Sequence, residues 1–242
     1  MPTRFRLDHV VFFGRTEHDY EEMFSFELQS LRGLRVLDCP SGPDAFVADA
    51  SAAGVDAVGC DPVYDGAPED IFARGRSDID TCIGNLRRAD EFPTLDLDAF
   101  RQAKLDAFAR FAQDFVAPGA RQRYFAAALP TLPFAERSFD LVLSANLLFS
   151  YADPKYGGLL PGSPFDLDWH RTAIAELLRV TRGEVRFYPT TTCDADARPH
   201  PFLDPLLESL RADDTLEASF ADSRYQQGLV GANRFLRIRR RA

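Results

Sequence analysis

The chain has little cysteine, histidine, methionine or tryptophan: four, four, two and one residues among 242. Cys39, Cys60, Cys82 and Cys193 show no CxxC spacing, so neither a metal-binding nor a dithiol redox motif is expected. A chain of this length with 45% apolar residues builds a core without disulfides, and the four read as reduced, buried thiols. Long apolar runs are also missing. The run at 10–13 is too short for a membrane span or a signal-peptide core, so no membrane contact is expected and the expected location is cytoplasmic. Basic residues are outnumbered 28 to 37, and the formal net charge of −9 is spread along the chain. That balance serves solubility and argues against duplex nucleic acid as a partner. The one basic cluster, Arg237, Arg239, Arg240 and Arg241, could touch a phosphate but reads better as the solvated end of a last strand.

What is present is an alternation of strand-like and helix-like segments. Over residues 16–31 the apolar positions Tyr20, Met23, Phe24 and Leu28 recur at helical intervals behind an acidic first turn. Gly33 ends that pattern, and residues 34–37 form a short apolar strand closing on Asp38. A Pro40-Ser41-Gly42-Pro43 loop, an alanine-rich helix over 44–53 and a strand over 55–60 follow. Two helices fit between 68 and 117, the second carrying Phe100, Phe108, Phe111 and Phe115 on one side, a stripe read as core packing. Strands are expected over 122–126, 139–144 and 184–188, with a helix over 168–180 that Gly183 terminates. A helix over 202–212 and strands near 215–220 and 234–239, separated by Gly228 and Gly231, complete the chain. Strands alternating with helices predict a mostly parallel sheet covered on both faces, closed by an antiparallel C-terminal hairpin. Residues 153–166, rich in proline and glycine, read either as a lid or substrate loop or as a disordered segment.

In an open α/β sheet, ligands bind beyond the carboxyl ends of the strands where strand order reverses. Asp38 ends the first strand, and Asp61 ends the second 23 positions later, close to the spacing at which a carboxylate meets ribose hydroxyls. The competing reading is that each merely caps the helix that follows.

The ordered strings VLDCPSG, VGCDP, LPTLPFAERSFDLVLSANLLFSYAD and ELLRVTRGEVRFYP, over residues 34–189, resemble the motifs of class I S-adenosylmethionine-dependent methyltransferases. The most specific part is Leu132-Pro133-Phe134 followed by Ser138-Phe139-Asp140-Leu141-Val142. An FGR-x-x-x-x-Y segment, Phe13-Gly14-Arg15 to Tyr20, and a Phe165-to-His170 segment resemble a bacterial group of predicted methyltransferases. The resemblance implies a Rossmann-like three-layer α/β sandwich, residues 1–242 being one domain: a helical cover over 1–32, a cofactor-binding core over 33–190, and a last helix and two strands over 191–242.

It also implies site residues. The backbone around Asp38, Pro40, Ser41 and Gly42 would receive the methionine part of S-adenosylmethionine, and Asp61 the ribose, with Pro62 beside the adenine. Ala128 and Leu129 would flank the adenine ring, Asn146 and Leu147 would line the site, and Arg15 would reach the cofactor carboxylate. Two departures stand out. The family loop Asp-x-Gly-x-Gly-x-Gly has Pro40 and Asp44 in place of its first and third glycines, and Ala128 stands where an Asp often binds the adenine amino group.

Methyl transfer from a sulfonium is an in-line displacement that needs alignment more than a strong acid or base. Tyr151, Asp153 and His170 are the catalytic candidates for orienting or deprotonating the acceptor, with Asp166 and Tyr188 behind them. The expected activity is methylation of a small molecule by a monomer or homodimer. The alternative is a catalytically inactive cofactor-binding or regulatory module. A nicotinamide-dependent oxidoreductase would share the strand-loop-helix pattern but lacks its GxGxxG here.

Overall fold

The computed structural model describes residues 4–90, 95–194, 196–225 and 231–241. Seven strands form one sheet: β1 (Arg35–Asp38), β2 (Asp56–Cys60), β3 (Tyr124–Phe125), β4 (Phe139–Ala145), β5 (Thr181–Tyr188), β6 (Leu216–Asp222) and β7 (Arg234–Arg240). Among the described residues six α-helices accompany them: α1 (Glu17–Phe24), α2 (Phe46–Ala52), α3 (Pro68–Arg88), α4 (Leu97–Phe115), α5 (Leu167–Val180) and α6 (Leu203–Arg211). The strand order is β3-β2-β1-β4-β5-β7-β6. Strands β1 to β5 pair in parallel, and β7 runs antiparallel between β5 and β6. This is the expected Rossmann-like three-layer sandwich with an antiparallel C-terminal hairpin.

Local chemistry accounts for the elements. The central strand β4, FDLVLSA, is apolar nearly throughout and almost wholly buried, as a strand covered on both faces must be. Thr16 and Asp19 form a reciprocal capping box at the front of α1, which buries Tyr20, Met23 and Phe24. Crossovers from β1 to β2 and from β4 to β5 run in opposite directions along the sheet, so right-handed connections put α2 and α5 on opposite faces. Helix α1 joins the α2 layer, with the Tyr20 and Phe46 rings stacked at 4.6 Å.

Three expectations change. The helix over 16–31 stops at Phe24, because Ser25 turns left-handed and the Glu21 carboxylate accepts the Leu28 N–H at 2.7 Å, leaving only a short turn at Leu28–Leu31. Gly183 does not terminate α5. It lies within β5, where a Cβ would sit 2.2 Å from the Asp140 carbonyl oxygen, next to the irregularity in the β4–β5 register. The third strand shrinks to two residues at the sheet edge. Gly228 lies outside the described residues, while Gly231 precedes β7 at φ 109°.

The phenylalanine stripe of α4 is core: Phe111 packs against Phe12, Tyr64, Phe115 and Tyr124 at ring separations of 5.1–5.7 Å. All four cysteines are buried thiols. The C-terminal arginines serve the sheet edge. Arg239 pairs with Glu217 on β6, Arg237 lies 3.7 Å from Glu184 on β5, and Arg240 donates to the Leu178 carbonyl at 3.0 Å. No described helix is long and apolar enough to cross a membrane.

Candidate functional site

Strand order reverses between β1 and β4, and the cleft beyond their carboxyl ends is where a ligand is expected. Residues 4–16, without regular structure, pass over this cleft as a strap. Its backbone is tied down by side chains of α3: Asp78 accepts the Phe12 N–H at 2.7 Å, and Arg74 donates to the Val10 carbonyl at 3.0 Å. His9 bridges Asp78 at 3.0 Å and Asp8 at 2.5 Å. Partial burial opposes charge on that ring, but the two aspartate bonds outweigh it and raise its pKa. Gly14 is where the strap meets the loop after β1. A Cβ there would fall 2.2 Å from the Pro43 carbonyl oxygen, backbone against backbone, which explains the glycine of the FGR segment.

Under the strap lie three adjoining compartments. The largest, about 330 Å³, is walled by Cys39, Pro40, Pro62, Val63, Ala128, Leu129, Leu147 and Trp169, with Asp61 and Arg74 as its charged members and Val10, Val11 and Phe12 overhead. A second, about 60 Å³, continues past Pro40 and Asp61 to Ser41, Gly42, Asp44, Arg15, Asn146 and Tyr151. A third, about 90 Å³ and mostly apolar, shares Val11, Phe13, Arg15, Asn146 and Tyr151 with the second and extends to Phe5, Leu86 and Leu159. Val11 borders all three.

Asp61 does both things that the spacing argument allowed. It caps the turn that follows β2, one oxygen accepting the Val63 N–H at 2.9 Å and the other the Gly42 N–H at 3.2 Å, and it borders the first two compartments. Burial raises its pKa to about 6 against those two N–H donors, so at neutral pH it is mainly a carboxylate. Gly42 holds φ 54°, a left-handed conformation that glycine adopts without strain. That turn aims its N–H at Asp61 and its carbonyl at the Tyr64 hydroxyl.

Asp38 is not a wall of the cleft. It lies fully buried beneath it, both oxygens accepting from the Tyr20 hydroxyl at 2.8 and 2.9 Å. Asp44, in a glycine position of the family loop, joins the same hydroxyl at 2.5 Å and accepts the Arg15 backbone N–H. Burial drives both carboxyl pKa values up, well above normal for Asp38 and to about 7 for Asp44. Among the described residues no carboxylate pairs with the Arg15 guanidinium, whose Nε is buried without a hydrogen-bond partner. Nearby, Lys104 is buried with Nζ 3.4 Å from Asp19 and 4.9 Å from the Phe100 ring centre; burial and then Arg15 depress its pKa to about 8.

The structure thus gathers Arg15, Pro40, Ser41, Gly42, Asp61, Pro62, Ala128, Leu129, Asn146, Leu147 and Tyr151 around one cleft. It does not bring Asp153 or His170 there. Asp153 is a half-buried cap that accepts the Lys155 and Gly162 N–H groups. His170 is fully buried, its Nε2 accepting the Phe149 N–H at 3.0 Å and its Nδ1 donating to the Asp166 carbonyl at 2.7 Å, so neither nitrogen is available as a base. Asp166 itself caps α5. The strap residues Val10 and Val11, the anchors Arg74 and Asp78, and Trp169 went unforeseen. Only the FGR-x-x-x-x-Y pattern signalled the coupling of strap, Tyr20 and loop.

No family model matches the sequence. An uncharacterized protein of Methanocaldococcus jannaschii is 25% identical over 213 residues, spanning 85% of this chain and 88% of its own. Among solved structures, magnesium protoporphyrin IX methyltransferase of Synechocystis with bound S-adenosylhomocysteine aligns at 12% identity and TM-score 0.46, covering 93% of this chain and 84% of its own. An S-adenosylmethionine-dependent methyltransferase of Mesorhizobium loti aligns at 14% identity and TM-score 0.38, covering 88% and 95%.

Proposed function

We propose that this chain is an S-adenosylmethionine-dependent methyltransferase acting on a small molecule. The observation that carries the reading is the Asp61 carboxylate at the end of β2, facing an apolar-walled cavity of about 330 Å³ at the point where strand order reverses. A carboxylate there accepts from two vicinal ribose hydroxyls, and Pro62, Ala128, Leu129 and Leu147 form slabs suited to a flat base. The next compartment offers Arg15 for a carboxylate and Asp44 for an ammonium, which suits the amino-acid end of the same molecule. These residues therefore fit the cofactor despite the replaced glycines, because Pro40 and Asp44 line the compartment rather than fill it.

When bound, S-adenosylmethionine supplies a methyl group on a sulfonium. The chain's own residues would hold and align. Asp61 and Arg15 fix the two ends, the Asp38–Tyr20–Asp44 cluster stiffens the loop between them, and the strap excludes water from the path of displacement.

Calorimetry of the purified chain with S-adenosylhomocysteine tests this reading. Saturable one-to-one binding is expected, and the absence of heat at millimolar ligand overturns it.

A further inference from the structure

The third compartment bears on the acceptor. Its walls are Phe5, Leu7, Phe13, Leu86, Phe100 and Leu159, and among the described residues Arg15 is the one charged group that borders it, at the boundary with the methionine compartment. At about 90 Å³ it is smaller than the ~150 Å³ apolar cavity that holds benzene. An acceptor that enters as an ammonium would lose hydration beside a like-charged guanidinium with no carboxylate to replace it, and a carboxylate, a bidentate match for the guanidinium, would displace the cofactor's own from Arg15 where a single sulfur would not.

The polar groups lining this compartment supply no base. The Tyr151 hydroxyl is held protonated by burial, and its oxygen receives the Val11 N–H at 3.3 Å. The Cys82 thiol is pushed up to about 12 by burial. His170, the residue that would serve, is spent on backbone bonds in the core. An alcohol would need such a base, whereas a thiol is far more acidic and reacts through the small anionic fraction that solvent releases, which the Arg15 guanidinium favours as it opposes the rise at Cys82. Ser150, which also borders the compartment, is 3% exposed and its Oγ lacks a hydrogen-bond partner, leaving one hydroxyl donor for an anionic sulfur.

Resting on the cofactor reading above, we infer that the acceptor is a small, uncharged aliphatic thiol, bound with its chain among Phe13, Leu86 and Leu159 and its sulfur toward Arg15 and Ser150. The thiol loses its proton to solvent and its sulfur attacks the methyl carbon. One sulfur–carbon bond forms, and the sulfonium–methyl bond breaks with its electron pair left on the cofactor sulfur. The products are a methyl thioether, S-adenosylhomocysteine and a proton.

The test incubates the full chain and S-adenosylmethionine with n-propanethiol, n-propanol, n-propylamine or propionate and quantifies methylated product by mass spectrometry. Saturation-transfer NMR with methyl propyl sulfide, in the presence of S-adenosylhomocysteine, reads binding without turnover. The thiol is expected to exceed the alcohol and amine by roughly a hundredfold, the scale of missing general-base assistance. Leu86→Trp, which fills the compartment, is expected to abolish the NMR transfer while S-adenosylhomocysteine affinity stays within about twofold. Faster methylation of the amine, alcohol or carboxylate overturns the inference, as does absence of thioether and of NMR transfer when S-adenosylhomocysteine binds normally. Loss of S-adenosylhomocysteine binding to the unmodified chain instead overturns the cofactor reading, and this inference with it. The ranking of acceptors on the unmodified chain stands whether or not the tryptophan variant folds.

Discussion

The Tyr20 hydroxyl lies 2.5 Å from the Asp44 carboxyl while also contacting both oxygens of Asp38, so one phenolic proton serves two buried carboxyl groups. A hydroxyl donates one hydrogen bond at a time. The second contact is satisfied only when one carboxyl carries a proton and donates to the tyrosine oxygen, which agrees with the raised pKa of both aspartates.

Tyr20→Phe removes the shared group and leaves Asp38 and Asp44 to face each other. A loss of about 1–3 kcal/mol is expected in urea unfolding at pH 8. The sign of the pH effect follows from the raised pKa of Asp44, from 3.8 to about 7. Its contribution to stability is present below the unfolded value and lost as pH rises through the folded one. The variant should therefore lose more at pH 8 than at pH 5, where the pair is protonated. Equal losses at the two pH values would show that the carboxyl pair is not protonated as described.

Arg15→Ala removes the guanidinium from the methionine compartment. S-adenosylhomocysteine affinity is expected to fall about tenfold to a hundredfold, the value of a charge-assisted hydrogen bond. Calorimetry checks it, and unaltered affinity would remove Arg15 from the cofactor site.

Asp61 can be dissected by two substitutions. Asp61→Asn keeps one side-chain acceptor for the cap but loses the charge, so roughly tenfold weaker S-adenosylhomocysteine binding is expected with stability nearly retained. Asp61→Ala removes both N–H contacts and should also cost about 1 kcal/mol of stability by denaturant titration. If Asn binds ligand as the native chain does, the aspartate is a cap and nothing more.

His170→Ala should act on the fold and not on the site. Leaving the Phe149 N–H without its acceptor in the core is expected to cost roughly 2–4 kcal/mol, with ligand affinity of the folded protein unchanged. Burial lowers the pKa of both His170 and its neighbour His200, the latter to about 3, so stability should fall as pH drops below 6.5. A fall in affinity without a fall in melting temperature would return His170 to the site.

The sequence by itself determined the order of elements and the carboxyl-end positions of Asp38 and Asp61, because apolar period, glycine and proline are local properties of the chain. It also exposed the replaced glycines at Pro40 and Asp44. Only the tertiary structure decided what these residues do. Asp38 and Asp61 have the same local signal, an acid closing a strand, yet one is buried under the loop against Tyr20 and the other borders the cavity. Likewise His170 and Asp153 lie in segments that read as candidate catalytic ones, and burial with two backbone partners or use as a turn cap removes them. Burial and partner geometry depend on segments far apart in the chain, and no local pattern encodes them.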